Sequence, residues 1–97
     1  MLRHVALFRF VPEATDEQRL AALEGLRGLP AQIPELVDYR VGPDAGVTDG
    51  SYDFAVVADF ADEADFPRYR DHPAHQAVAT TLVRPILADR ATVQYRC

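Results

Sequence analysis

Lysine is missing from this chain of 97 residues: all ten basic residues are arginine, set against fifteen acids for a net charge of -5. The acids are spread along the chain and no arginine cluster is visible. That argues against a nucleic-acid surface, which needs concentrated positive charge. Cysteine is nearly absent too, the one example being the last residue, Cys97. A single thiol cannot staple a fold or build a thiolate metal site, and a frayed terminus holds a nucleophile poorly. No apolar run approaches the roughly 20 residues of a membrane span. Met1-Leu2-Arg3-His4 opens directly into an alternating pattern with no signal-peptide core, so a cytoplasmic protein is expected. A glycine-rich phosphate loop, a nucleophile elbow and a carboxylate pair at catalytic spacing are also lacking, which removes the usual signatures of nucleotide binding and hydrolysis.

What remains is an ordinary globular composition, 48% apolar and 26% charged, expected to form one domain over residues 1–97. Leu2 to Phe10 alternates, with His4, Ala6, Phe8 and Phe10 on one face and Arg3, Val5, Leu7 and Arg9 on the other. Apolar residues on both faces mark a strand covered on two sides. Thr15-Asp16-Glu17-Gln18 is a capping-box pattern, and Leu20, Leu23 and Leu26 follow at helical spacing up to Gly28. Leu29 to Pro34 reads as a connector holding at most one helical turn. Leu36 to Val41 and Ser51 to Phe60 alternate again, the second with Tyr52, Phe54, Val56, Ala58 and Phe60 on one face. Asp62 is placed to cap a short helix through Tyr69, a second helix runs from Pro73 to about Val83, and Ala91 to Arg96 makes a last strand.

The order strand, helix, strand, strand, split helix, strand predicts an α+β, ferredoxin-like fold: a four-stranded antiparallel sheet with helices on one face. One sheet face then stays uncovered, and it is more apolar than a monomer usually exposes. Two sheets packed face to face would bury it, so the sequence predicts a homodimer in which the paired sheets enclose a barrel and leave each subunit a pocket near the rim.

Chemistry is sought first in Tyr69-Arg70-Asp71-His72-Pro73-Ala74-His75, which gathers two of the three histidines and a tyrosine around a proline. Pro73 cannot continue a preceding helix but fits the first turn of a new one, which puts His72 at the junction. His75, Val78 and Leu82 then share a stripe, turning His75 inward. An inward histidine beside Tyr69 either lines a pocket or is a core residue whose ring nitrogens are satisfied. A metal is not expected: His72 and His75 are three apart and His4 can approach, but zinc usually takes three or four ligands with second-shell partners.

These features together resemble the stress-responsive A/B-barrel (Dabb) family over nearly the whole chain. The resemblance rests on Leu2-Arg3-His4-Val5, Thr15 to Gln18, Tyr39 to Gly42, Tyr52-Asp53-Phe54-Ala55 to Asp59-Phe60, and above all Tyr69 to His75. It implies a dimeric α+β barrel. The family joins stress proteins, oligomers without known activity and a cofactor-free polyketide cyclase carrying a similar Tyr-x-x-His-Pro-Ala-His segment. By that similarity Tyr69 and His75 stand at the catalytic pair and His4 at a pocket-lining histidine. The expected ligand contacts are His4, Phe8, Phe54 and His72.

Neutral His75 in a dry pocket can take a proton from an acidic carbon between two carbonyls, while the Tyr69 hydroxyl bonds the oxygen that gains charge. That chemistry, enough for an aldol cyclisation, needs no cofactor. Its alternatives are a non-enzymatic stability or interaction module in which the same groups satisfy the backbone around Pro73, and a cofactor-free monooxygenase. In each case the partners expected are a second copy of the chain and, for a pocket, a small hydrophobic carbonyl or aromatic compound.

Overall fold

Alternating residues pair into strands, and helical stripes cover one side of them. The computed structural model describes residues 1–97. Its main elements are β1 (Leu2–Phe10), α1 (Asp16–Arg27), β2 (Asp38–Pro43), β3 (Phe54–Phe60), α2 (Asp65–Arg70), α3 (Pro73–Val78) and β4 (Leu87–Arg96). The strands lie in the order β2-β3-β1-β4, each pair antiparallel. This is the ferredoxin-like arrangement that the element order predicts.

The capping box at α1 forms as expected: Gln18 N–H donates to Thr15 Oγ1 at 3.1 Å, and Thr15 N–H donates to Gln18 Oε1 at 2.9 Å. The buried stripe of α1 is Ala22, Leu23 and Leu26, continued by Leu29, while Leu20 lies to one side and is exposed. Gly25 lets α1 approach closely, because a Cβ there would meet Leu82 Cδ1 at 2.7 Å.

Helices cover His4, Ala6, Phe8 and Phe10 of β1 and Phe54, Val56, Ala58 and Phe60 of β3, all of them buried. The opposite face of the sheet carries Val5, Leu7, Val57 and Val93, with Val5 directly opposite both Val57 and Val93. No element of the chain covers it, and Val93 is 55% exposed.

Several boundaries differ from the sequence reading: α2 begins at Asp65, with Ala64 and not Asp62 as its N-cap, and α3 ends at Val78, where the chain passes into a π turn over Ala79–Val83. β3 begins at Phe54 because the Asp53 carboxylate accepts the Phe10 N–H at 2.7 Å, replacing a ladder bond with a side chain. Tyr52 therefore leaves the aromatic face of β3; its ring lies under the Arg9 guanidinium at 4.2 Å, and its hydroxyl donates to Asp89 at 2.8 Å. β2 is shifted to Asp38–Pro43, and β4 starts four residues early, at Leu87, across an irregularity in its register with β1. Asp62 serves the turn before α2, its carboxylate accepting the Ala64 N–H at 2.8 Å.

Phe60 is fully buried and meets Phe66 edge-on at 5.9 Å and Tyr69 at 5.4 Å between ring centres. Phe60→Ala is expected to cost about 3–5 kcal/mol through lost burial and the cavity left behind. The midpoint of urea unfolding checks this; a change under about 1 kcal/mol would mean the ring is not part of the load of the core.

Candidate functional site

The aromatic cluster that begins at Phe60 ends at a cavity. α2 brings Phe66 and Tyr69 inward three residues apart, and α3 adds His75 after the bend at Pro73. Together with the helix-covered face of the sheet they enclose about 180 Å³, bordered by His4, Phe8, Tyr69, His75, Arg90 and Gln94 among others. An apolar cavity of about 150 Å³ can hold benzene, so this one has room for a single small ring. It lies within the chain, between the sheet and the helices that cover it.

Tyr69 and His75 are in contact, their ring centres 4.4 Å apart, and His4 stands 6.2 Å from Tyr69 and 5.0 Å from Phe66. His75 Nδ1 lies 2.9 Å from the Arg70 carbonyl oxygen. A carbonyl only accepts, so Nδ1 carries the proton and Nε2 is left with its lone pair. Burial is the main cause lowering the pKa of His75 from its ordinary value; the bond to the Arg70 carbonyl works against it, and the nearby positive charge of Arg90 adds to the lowering. Neutral His75 is therefore the dominant form near pH 7, with one nitrogen fixed and the other available as a base.

The Tyr69 hydroxyl is the complementary group. Burial pushes its pKa up to about 12, so the phenol keeps its proton and remains a donor. Beside it the Tyr39 hydroxyl is buried without a hydrogen-bond partner, and its pKa is also raised, first by burial and then by Tyr69.

His4 is held by β4: Gln94 Nε2 donates to its Nδ1 at 2.8 Å, which leaves the proton on Nε2. Burial, and then the charges of His75 and Arg90, depress its pKa to about 4. The unfolded histidine has a pKa of about 6.5, so as pH falls below that value the unfolded chain takes up a proton that the folded chain refuses. Stability is expected to be complete above about pH 6.5 and to fall by roughly 3 kcal/mol on the way to pH 4. His75 acts in the same direction. Asp59, held below the ordinary carboxylate range by Arg3, adds its own loss only at lower pH. Unfolding midpoints measured at pH 7 and 4.5 test this; His4→Gln should flatten the slope in that window, and an unchanged slope would assign it to other groups.

The other two residues expected to touch a ligand lie elsewhere. Phe54 packs edge-on against Phe10 at 4.9 Å, in the core and away from the cavity. His72 is the N-cap of α3, its Nδ1 accepting the Ala74 N–H at 3.0 Å. The backbone left open by Pro73 takes this nitrogen. No three His, Cys, Asp or Glu side chains gather into a group that could hold a metal ion. The sequence places Phe66 on the inner side of a helix and Tyr39 on a strand without a role at the site, and it singles out neither Arg90 nor Gln94. For the last two a signal existed: Arg90, Thr92 and Gln94 alternate on β4 opposite Val93 and Tyr95, a polar row facing the side that helices should cover.

The sequence pattern of the stress responsive A/B barrel domain, Dabb, matches residues 2–97. The chain belongs to the Dabb family. An uncharacterized protein of Streptomyces coelicolor is 37% identical to this Dabb chain over 79 residues, 79% of this chain and 81% of the relative. A dimeric ferredoxin-like protein of unknown function from Thermobifida fusca is similar in structure, with a TM-score of 0.91 and 46% identity, covering 99% of this chain and 90% of that one. A hydroxynitrile lyase from Passiflora edulis superposes with a TM-score of 0.83 at 19% identity, covering 97% of this chain and 90% of the lyase. At that identity the likeness is one of fold alone. No helix of this Dabb protein is long and apolar enough to cross a membrane.

Proposed function

We propose that this Dabb protein is a homodimer whose subunits each bind a small hydrophobic carbonyl or aromatic compound in the cavity beside Tyr69 and His75, and remove a proton from it. The observation that carries the reading is the hydrogen bond from His75 Nδ1 to the Arg70 carbonyl. It fixes the tautomer, so that Nε2 of a neutral imidazole is the free base in a largely apolar cavity. His75 Nε2 takes the proton from a carbon activated by adjacent carbonyls, and the electron pair moves onto the carbonyl oxygen. The Tyr69 O–H then donates to that oxygen. The enolate either regains a proton or adds to a second carbonyl of the same molecule, an aldol cyclisation of the polyketide type. A positioned base contributes about 10²–10⁴-fold and one oxyanion donor about 10²–10³-fold, enough for a substrate that is already acidic. Side chains alone suffice for this step.

The dimer is supported by the uncovered apolar sheet face and by the dimeric state of the Thermobifida fusca relative. A second reading, a stability or interaction module without turnover, is favoured by His72, whose ring nitrogen caps α3 and does nothing at the cavity. Exchange of the activated C–H of benzoylacetone for deuterium, followed by NMR against a protein-free control, distinguishes the two. Acceleration that saturates with the diketone supports the base, and exchange at the background rate supports the module.

A further inference from the structure

The chain has an excess of acids, yet its cavity has none. Among the residues around it are Arg70, Arg84 and Arg90, and no aspartate or glutamate. Arg70 is neutralised by a two-pronged contact with Asp71 at 2.9 and 3.0 Å. Arg84 and Arg90 form no ion pair. Arg90 stands on β4 opposite Phe8, on the helix-covered side of the sheet, in the same row as Thr92 and Gln94. Its charge reaches both cavity histidines, depressing the protonated form of each.

From this we infer that the natural ligand is an organic carboxylate whose anionic group pairs with Arg90 at the cavity mouth while its apolar part enters beside Tyr69 and His75. The inference rests on the ligand-binding reading above and names its substrate class. A guanidinium presents two parallel N–H donors that match a carboxylate, and Arg90 has no carboxylate of its own chain to give up first. The same charge that attracts the anion adds to burial in disfavouring protonated His75, so Arg90 serves selection without protonating the base. Arg90 is a specificity-determining residue here and takes no part in the proton transfer. Arg84, on the turn before β4, supplies further positive field at the same opening.

Benzoate and benzamide, which share a ring and differ in charge, are the probes, titrated into the full chain by NMR at pH 7.5 to about 10 mM, the range expected for ligands of this size. Wild-type protein is expected to bind benzoate about tenfold more tightly than benzamide. Arg90→Gln should erase that preference and leave benzamide binding within about twofold, and Arg90→Lys should keep part of it. Arg90 is exposed on an edge strand, so these variants should fold; retained amide dispersion and melting temperature verify that they do. Equal binding of the two probes by wild type, or a preference surviving in Arg90→Gln, overturns the carboxylate inference and leaves the ligand-binding reading standing. If neither probe perturbs the cavity residues, both fail.

Discussion

His75→Asn is expected to lower the rate of benzoylacetone proton exchange by about 10²–10⁴-fold while changing the melting temperature little. Asparagine keeps an N–H donor near the position of Nδ1, so the bond to the Arg70 carbonyl survives, but it has nothing to replace the Nε2 lone pair. The comparison with His75→Ala makes the test informative. Alanine removes both functions: turnover should fall equally far, and stability should fall by about 1 kcal/mol for the lost hydrogen bond, with a further loss from the emptied ring volume. If His75 serves structure only, asparagine restores melting and there is no rate to lose. A wild-type rate that survives in His75→Asn would remove His75 as the base. Tyr69→Phe completes the set. It leaves the ring contacts with Phe60 and His75 in place and removes only the donor, so it should slow exchange while barely altering unfolding.

Val57→Asp is expected to convert the protein to single subunits, read as a halved mass in sedimentation at micromolar concentration. Val57 lies at the middle of the open sheet face, paired with Val5 on one side and Arg40 on the other. A two-fold interface places two copies of the substitution near one another, each a carboxylate withdrawn from water, and the Arg40 opposite is already engaged by Asp38 at 3.1 Å. An unpaired buried charge costs several kcal/mol, so association should weaken by more than about 10³-fold. The same aspartate on a face already wet would cost little. A Val57→Asp protein with unchanged mass would therefore place the contact between subunits elsewhere and leave this surface without a proposed partner.

Local rules reached far into this fold because the relevant forces are local. Alternation located β1 to the residue, and Thr15, Gln18 and Gly28 bounded α1 because caps are set by side chains a few positions away. Pro73 located the junction between α2 and α3 for the same reason. The misses come where a distant group intervened. Asp53 cuts β3 short by bonding Phe10, forty-three residues away. Phe54 has the alternation of a pocket residue but meets Phe10, and His72 has the chemistry of one but caps its own helix. Leu20 has the right spacing for α1 and still faces water, since the buried stripe is centred on Ala22 and Leu26.

The sequence by itself determined the order and type of the elements, the antiparallel ferredoxin-like sheet, the excess of apolar strand surface and the pairing of a tyrosine with a histidine across a proline bend. Periodicity and capping are encoded within a few residues, so they can be read without coordinates. Which sheet face the helices take, and that the hollow opens beneath them within the chain, only the tertiary structure decided. So did the arrival of Gln94 and Arg90 from the last strand beside His4, near the other end of the chain. Those outcomes depend on how segments up to 90 residues apart settle against one another, and no local pattern carries that information.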